Sequence, residues 1–171
     1  MIANRFRLAS IFVFSSTLAG SGIFYAIQSN GQKVPTAPGK IFAQKLIEET
    51  LAAHPEIAGA EIATTPSQKH ECVTIASSEP QEIGEKCDKD EFTVLATNEP
   101  FVEKEKENGQ EVYDVTIPIH TSDGKTICTA GIDFKPGPAQ QKAKIVEQAL
   151  QIGKELESKI GSKEKLFEPV S

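Results

Sequence analysis

The sequence has no tryptophan, and after Arg7 it has no arginine. Without arginine, the bulk of the chain lacks the planar fork that grips a carboxylate or phosphate in two places. There is no CxxC, no CxxCH and no cysteine–histidine cluster, which removes structural zinc and covalently attached haem. HExxH, the nucleophile elbow and the glycine-rich phosphate loop are missing too. The histidines are His54, His70 and His120, and their spacing assembles no triad, since such groups are recognised by geometry. The chain is therefore read as a non-enzyme with no cofactor and no metal. Positive charge is also scarce. The formal charge is −6 with Arg5 and Arg7 included, so the remainder of the chain carries −8. A domain of that sign repels phosphate backbones, and nucleic acid is excluded as a partner.

What the chain does have begins with Leu8–Ile27, a run without a single charge, preceded by Arg5 and Arg7 and no acid. A basic flank ahead of an uncharged apolar run is an export signal or a membrane anchor. Leu8–Phe14 suits a signal core, and Thr17-Leu18-Ala19 offers small residues to a signal peptidase. Cleavage there leaves Ile23-Phe24-Tyr25 as an apolar start, and the whole run is long enough to span a bilayer, so both readings of residues 1–27 stay open. No cysteine follows the segment to carry a lipid. Both arginines precede it, which predicts an N-in orientation with the domain outside: periplasmic, secreted, or held at the inner membrane through residues 8–27. In that oxidising setting the three cysteines leave at least one thiol unpaired within a monomer. Cys72 and Cys128 lie in apolar strand patterns and read as small buried hydrophobes. Cys87, in Glu-Lys-Cys-Asp-Lys-Asp, is expected to be exposed, with a reactive or dimer-forming role open.

Residues 28–39 contain Gly31, Pro35, Pro38 and Gly39 without periodicity and read as a linker. Ala43, Leu46, Ile47, Thr50, Leu51 and His54 then repeat at helical spacing, and Pro55 ends that helix. Extended runs are expected at Ala58–Thr65 and His70–Ser78. Asp88 with Glu91 forms a capping box that opens a short helix, with Phe92 and Leu95 turned inward. Three further β-type runs follow, Phe101–Glu107, Glu111–His120 and Lys125–Phe134. The Asn108-Gly109 and Asp123-Gly124 dipeptides between them favour hairpin turns. The Glu103-Lys104-Glu105-Lys106-Glu107 run suits a charged sheet edge. A long helix is expected from about Ala139 to Ile160, with Ala143, Val146, Ala149, Leu150, Gly153, Leu156 and Ile160 on its inner stripe. Residues 161–171 read as a flexible tail. The fold class is α+β, a five-stranded antiparallel sheet with a long N-terminal and a long C-terminal helix.

Alternation splits the last two strands into an apolar side (Tyr113, Val115, Ile117, Ile119; Cys128, Ala130, Ile132, Phe134) and a polar side. The polar side carries Asp114, Thr116, Pro118 and His120 on one strand and Thr129, Gly131 and Asp133 on the other. The stretch Val115–Ile127, ending in Gly131-Ile132-Asp133-Phe134, resembles the last hairpin of extracytoplasmic Cache domains, the PAS-like sensor modules of bacteria. Ile75-Ala76-Ser77-Ser78 with Ile83-Gly84 is similar to the loop after the second strand of that family, and the element order over residues 40–160 follows it as well. The resemblance implies a PAS-like fold whose polar face is covered by loops and holds a small polar ligand, with Asp114, Thr116, His120, Thr129 and Asp133 as ligand-binding residues. The arginine–tryptophan–tyrosine motif of the amino-acid-binding members has no counterpart. The family's familiar architecture continues into an output domain, and none is expected here, so a separate signalling protein would carry the signal onward.

Two other readings compete with the sensor. One is a periplasmic partner-binding or dimerising structural protein without a small-molecule ligand, a homodimer through its long helices. The other is a small periplasmic enzyme or haem carrier using His120 or His54. All three require export. A reporter fused after Ser171 is therefore expected to be active only when folded outside the cytoplasm, and an active cytoplasmic fusion overturns this reading.

Overall fold

The computed structural model describes residues 40–67, 70–107, 110–136 and 142–170, all within the compact unit Thr36–Ser171. The apolar segment 1–27, the linker 28–39, the Asn108-Gly109 turn and residues 137–141 lie outside the described residues. Among those described, no helix is long and apolar enough to cross a membrane. The elements run α1 (Phe42–Ala53), β1 (Ile57–Thr64), β2 (Val73–Ser77), α2 (Lys89–Thr97), β3 (Phe101–Glu107), β4 (Gln110–His120), β5 (Thr126–Phe134) and α3 (Lys142–Ile160). The strands form one antiparallel sheet in the order β2-β1-β5-β4-β3, so the expected α+β, PAS-like arrangement is the one observed.

The meander follows from its turns. Gly124 takes a positive φ of 81°, a conformation that glycine adopts without strain, and Thr121 N–H donates to the Lys125 carbonyl at 2.9 Å to close the β4–β5 link. At the other turn the register closes with Glu107 opposite Gln110. The charged strand β3 is an edge strand, as its alternating glutamates and lysines predict.

α1 and α3 cover one face of the sheet. Ala43, Leu46 and Ile47 of α1 and Ile145, Ala149, Ile152, Leu156 and Ile160 of α3 share one buried cluster with Ala60, Ile62, Val115, Ile117, Ile119, Cys128, Ala130, Ile132 and Phe134. Gly153 is the point of closest approach: a β-carbon there would stand 2.7 Å from Ile117 Cδ1. The inner stripe of α3 is therefore rotated from the expected one. Ile145 and Ile152 point inward, whereas Ala143 is exposed, Val146 is half-buried and Leu150 is 39% exposed. α2 is rotated as well. Asp90, Glu91 and Val94 are its buried residues, while Phe92 and Leu95, expected inward, are 55% and 38% exposed.

Two further expectations change. Residues 161–170 do not fray. A short 3-10 turn at Glu164–Phe167 inserts Leu166 fully into the core, and the strand-like end pairs Pro169 with Ile41. Phe42 N–H donates to the Glu168 carbonyl and Val170 N–H to that of Lys40, each at 2.8 Å, and Lys165 Nζ lies 4.9 Å from the centre of the Phe42 ring. Cys87 is not exposed but buried in a disulfide with Cys72, packed on Ala63; Cys128 is the free, buried cysteine. The Val73–Lys86 bridge and the Cys87 N–H to Cys72 carbonyl hydrogen bond (3.1 Å) draw the two segments together, an association invisible in linear spacing. A bridge across a separation of 15 residues contributes about 3 kcal/mol through loop closure. Reductant should therefore lower the melting temperature of the wild type and leave that of Cys87→Ser unchanged. Equal sensitivity of the two proteins would show that the bond does not form.

Candidate functional site

The register aligns the polar side chains of the sheet into rows. Across β3, β4, β5 and β1, one row reads Glu103, Asp114, Asp133 and Gly59. The next reads Phe101, Thr116, Gly131 and Glu61, and continues to Ser77 of β2. A third reads Pro118, Thr129 and Ala63, then Thr74 of β2. Like charges directly opposite one another across a sheet repel, so a row holding Glu103, Asp114 and Asp133 is not what stability alone would select. Glycine makes room within these rows. The Glu61 side chain lies across Gly131, where an added β-carbon would meet Glu61 Cγ at 3.0 Å, and Asp133 leans over Gly59 in the same way.

α2 roofs this face. Its N-terminus is set by the capping box, in which Asp88 N–H donates to Glu91 Oε2 at 2.7 Å, and its C-terminus by Asn98 in the left-handed region. That phase turns the second and third helical residues down onto the sheet. The Thr116 hydroxyl donates to Asp90 Oδ2 at 3.0 Å, Glu91 meets Glu61, and Glu61 Oε2 also accepts from the Thr74 hydroxyl at 3.2 Å. Four carboxyl groups from β1, α2 and β4 thus share one covered space, with Asp133 at its border. Burial, then the negative charges of Asp133, Asp90, Glu61 and Glu91, push Asp114 up to about 8. Burial, then Asp90 and Glu61, push Glu91 up to about 8, and burial raises Glu61 as well. Glu91 and Glu61 hydrogen bond side chain to side chain, an arrangement that needs a proton between them.

Of the residues expected to bind ligand, Asp114, Thr116, Thr129 and Asp133 lie on this face. Thr116 is committed to Asp90, Thr129 is fully buried with its hydroxyl on the Ala63 carbonyl at 3.3 Å, and Asp133 is exposed. His120 stands apart, about 20 Å along β4 from Asp114 at the usual strand rise, and both its ring nitrogens are engaged within the fold. Sequence reading missed Glu61, Asp90 and Glu91. A lone acid in the small, apolar run Ile-Ala-Gly-Ala-Glu-Ile-Ala-Thr was the available signal for Glu61. Glu91 was hidden by the capping-box role that explains it equally well, and Asp90 by its place in the first turn of a helix, where an acid is ordinary. Asp88, Asp90 and Glu91 offer carboxylate oxygens within 4.8 Å of one another, a donor set that could hold a hard cation.

With this geometry in place, comparison with known proteins bears on the fold. Solved structures similar to this chain include the Agrobacterium tumefaciens repressor BlcR, 11% identical over 71% of this chain and 68% of that one, with a TM-score of 0.51. Others are the GAF domain of a two-component sensor histidine kinase from Bacillus halodurans (9% identical, 70% and 93% covered, TM-score 0.49) and the E. coli DcuS sensor domain (18%, 63% and 71%, 0.39). The likeness is one of fold. No protein-family model and no curated protein matches the chain.

The raised carboxyls set a pH dependence whose sign is fixed. Their folded values lie above the ordinary carboxylate range, so the folded state binds more protons than the unfolded chain between that range and about 8. The stability they confer is present in full below the ordinary range and is lost as pH rises through about 8. Wild-type melting temperature is expected to fall from pH 5 to pH 9 once surface effects are matched, and Asp114→Asn to flatten that fall. A variant as steep as the wild type would mean Asp114 ionises freely in the fold.

Proposed function

We propose that this chain is an exported sensor module of the Cache-like, PAS-like kind, which receives a small cationic ligand on the polar face beneath α2 and passes its state to a separate signalling protein. The observation that carries the reading is the gathering of Glu61, Asp90, Glu91 and Asp114 between the sheet and α2. Burying carboxyls together is unfavourable unless protons or cations neutralise them. A bound cation supplies charge in place of those protons, which is a reason for the fold to keep such a set. Export is supported by the apolar run Leu8–Ile27 and by the Cys72–Cys87 disulfide, a bond that persists in oxidising compartments.

The test is a thermal-shift panel of spermidine, small monoamines, Mg²⁺ and Ca²⁺ on the purified protein. A ligand at about 100 times its dissociation constant adds roughly 2.7 kcal/mol of stability. Asp114→Asn and Asp133→Asn are expected to abolish the shift and leave the unliganded protein folded. A shift that survives both substitutions, or a panel with no shift at all, removes the cation-binding reading.

A second reading is a homodimer without a ligand, favoured by one observation: Ala143, Val146 and Leu150 form an apolar flank on α3 that the core does not take up. A concentration-dependent dimer that Leu150→Lys dissociates would favour it.

A further inference from the structure

We infer that His120 is the joint through which the position of α2 is passed to α3. The two helices lie on opposite faces of the sheet: α2 is tied to the polar face by Asp90 on Thr116, and α3 packs on the apolar face through Gly153 against Ile117. The register shifts between Ile119 and His120, at the end of β4 where the sheet gives out. From there the imidazole reaches both layers. Its Nδ1 stands 2.7 Å from Glu157 Oε1 of α3, and that same oxygen accepts the His120 backbone N–H at 2.8 Å. Its Nε2 stands 2.8 Å from Asn98 Oδ1, which also accepts the Thr126 hydroxyl at 2.7 Å.

Neither end of this link is loose. Asn98 is the C-cap of α2, with φ 58° and its N–H on the Val94 carbonyl at 2.8 Å, so its side chain moves with the last turn of that helix. Glu157 sits on α3 between the core residues Leu156 and Ile160, so its backbone is fixed in the helix, and its Oε1 is held against both the ring and the backbone N–H of His120. α2, by contrast, is lightly seated. Val94 is its one fully buried apolar side chain, and its other inward groups are the carboxyls Asp90 and Glu91. Whatever alters the charge beneath α2 displaces α2 before it displaces the sheet, and the His120 ring carries that displacement around the sheet's end. With both ring nitrogens already committed, His120 acts on the signal and does not touch a ligand. The inference rests on α2 as the roof of the receiving face, but its test needs no ligand, so a failure to find one leaves it standing.

The experiment is amide hydrogen exchange on the full chain, with α2 loosened from within. Val94→Ala removes the one fully buried apolar contact of α2, and Asp90→Ala, a second way of loosening the same helix, removes the acceptor of the Thr116 hydroxyl. In the wild-type background either change should speed exchange severalfold in α2 and also in residues 153–160 of α3. With His120→Ala also present, the same changes should speed exchange in α2 alone. Asn98→Gly provides a second break in the link, since glycine keeps the left-handed cap and loses the side chain. The inference is overturned if α3 responds equally with the joint intact and broken. It is overturned equally if α2 loosens in the wild-type background and α3 does not respond.

Discussion

Thr116 pairs with Gly131 and Ile117 with Ala130, and each layer of the domain takes its place from that register between β4 and β5. A slip of one residue would flip one strand against the other, turning either Val115 and Ile117 or Ala130 and Ile132 away from α1 and α3 and driving Asp114 or Asp133 into the apolar cluster. The register also brings the two aspartates opposite each other, while the pairing of β1 with β5 lays Glu61 across Gly131. The apolar face thereby holds the helices while the polar face collects acids. One pairing produces both results.

The two faces are held by different physics. α1 and α3 bury aliphatic side chains against the sheet, an attraction without direction that salt and pH barely change. α2 buries two acids and one valine. Its docking depends on a hydroxyl donated by Thr116, on a proton shared with Glu61, and on caps at either end. Such contacts respond to pH and ionic strength, as the aliphatic packing on the other face does not.

Much of the fold is legible in the sequence because its signals are local. The capping box at Asp88 and Glu91, the Asp123-Gly124 turn and the alternation from Tyr113 to Ile119 each act over a few residues. What was not legible depends on helix phase and on distant contacts. Phe92 and Leu95 invite an inward assignment by hydrophobicity, yet the caps rotate α2 so that Asp90 and Glu91 face the sheet. The inward turn of Ile145 and Ile152 is likewise decided by where Gly153 meets Ile117. The Cys72–Cys87 bond and the seating of Leu166 join segments that share no sequence pattern. Of the candidate site, Asp114, Thr116 and Asp133 could be read from alternation, while Glu61 enters only through the pairing of β1 with β5.

The strap at the end of the described chain has a mechanical consequence. Lys40 and Val170 are hydrogen-bonded neighbours on antiparallel backbones, and the Phe42–Glu168 bond lies one step further in. Tension drawn between these two chain exits falls on the outer bond alone, then on the inner one, as a zipper opens from its end. Residues 168–170 peel from the start of α1 first, and Leu166 is then the first core side chain to bear load. The sheet, whose strands are joined by many bonds in parallel, feels the pull only after the strap has gone.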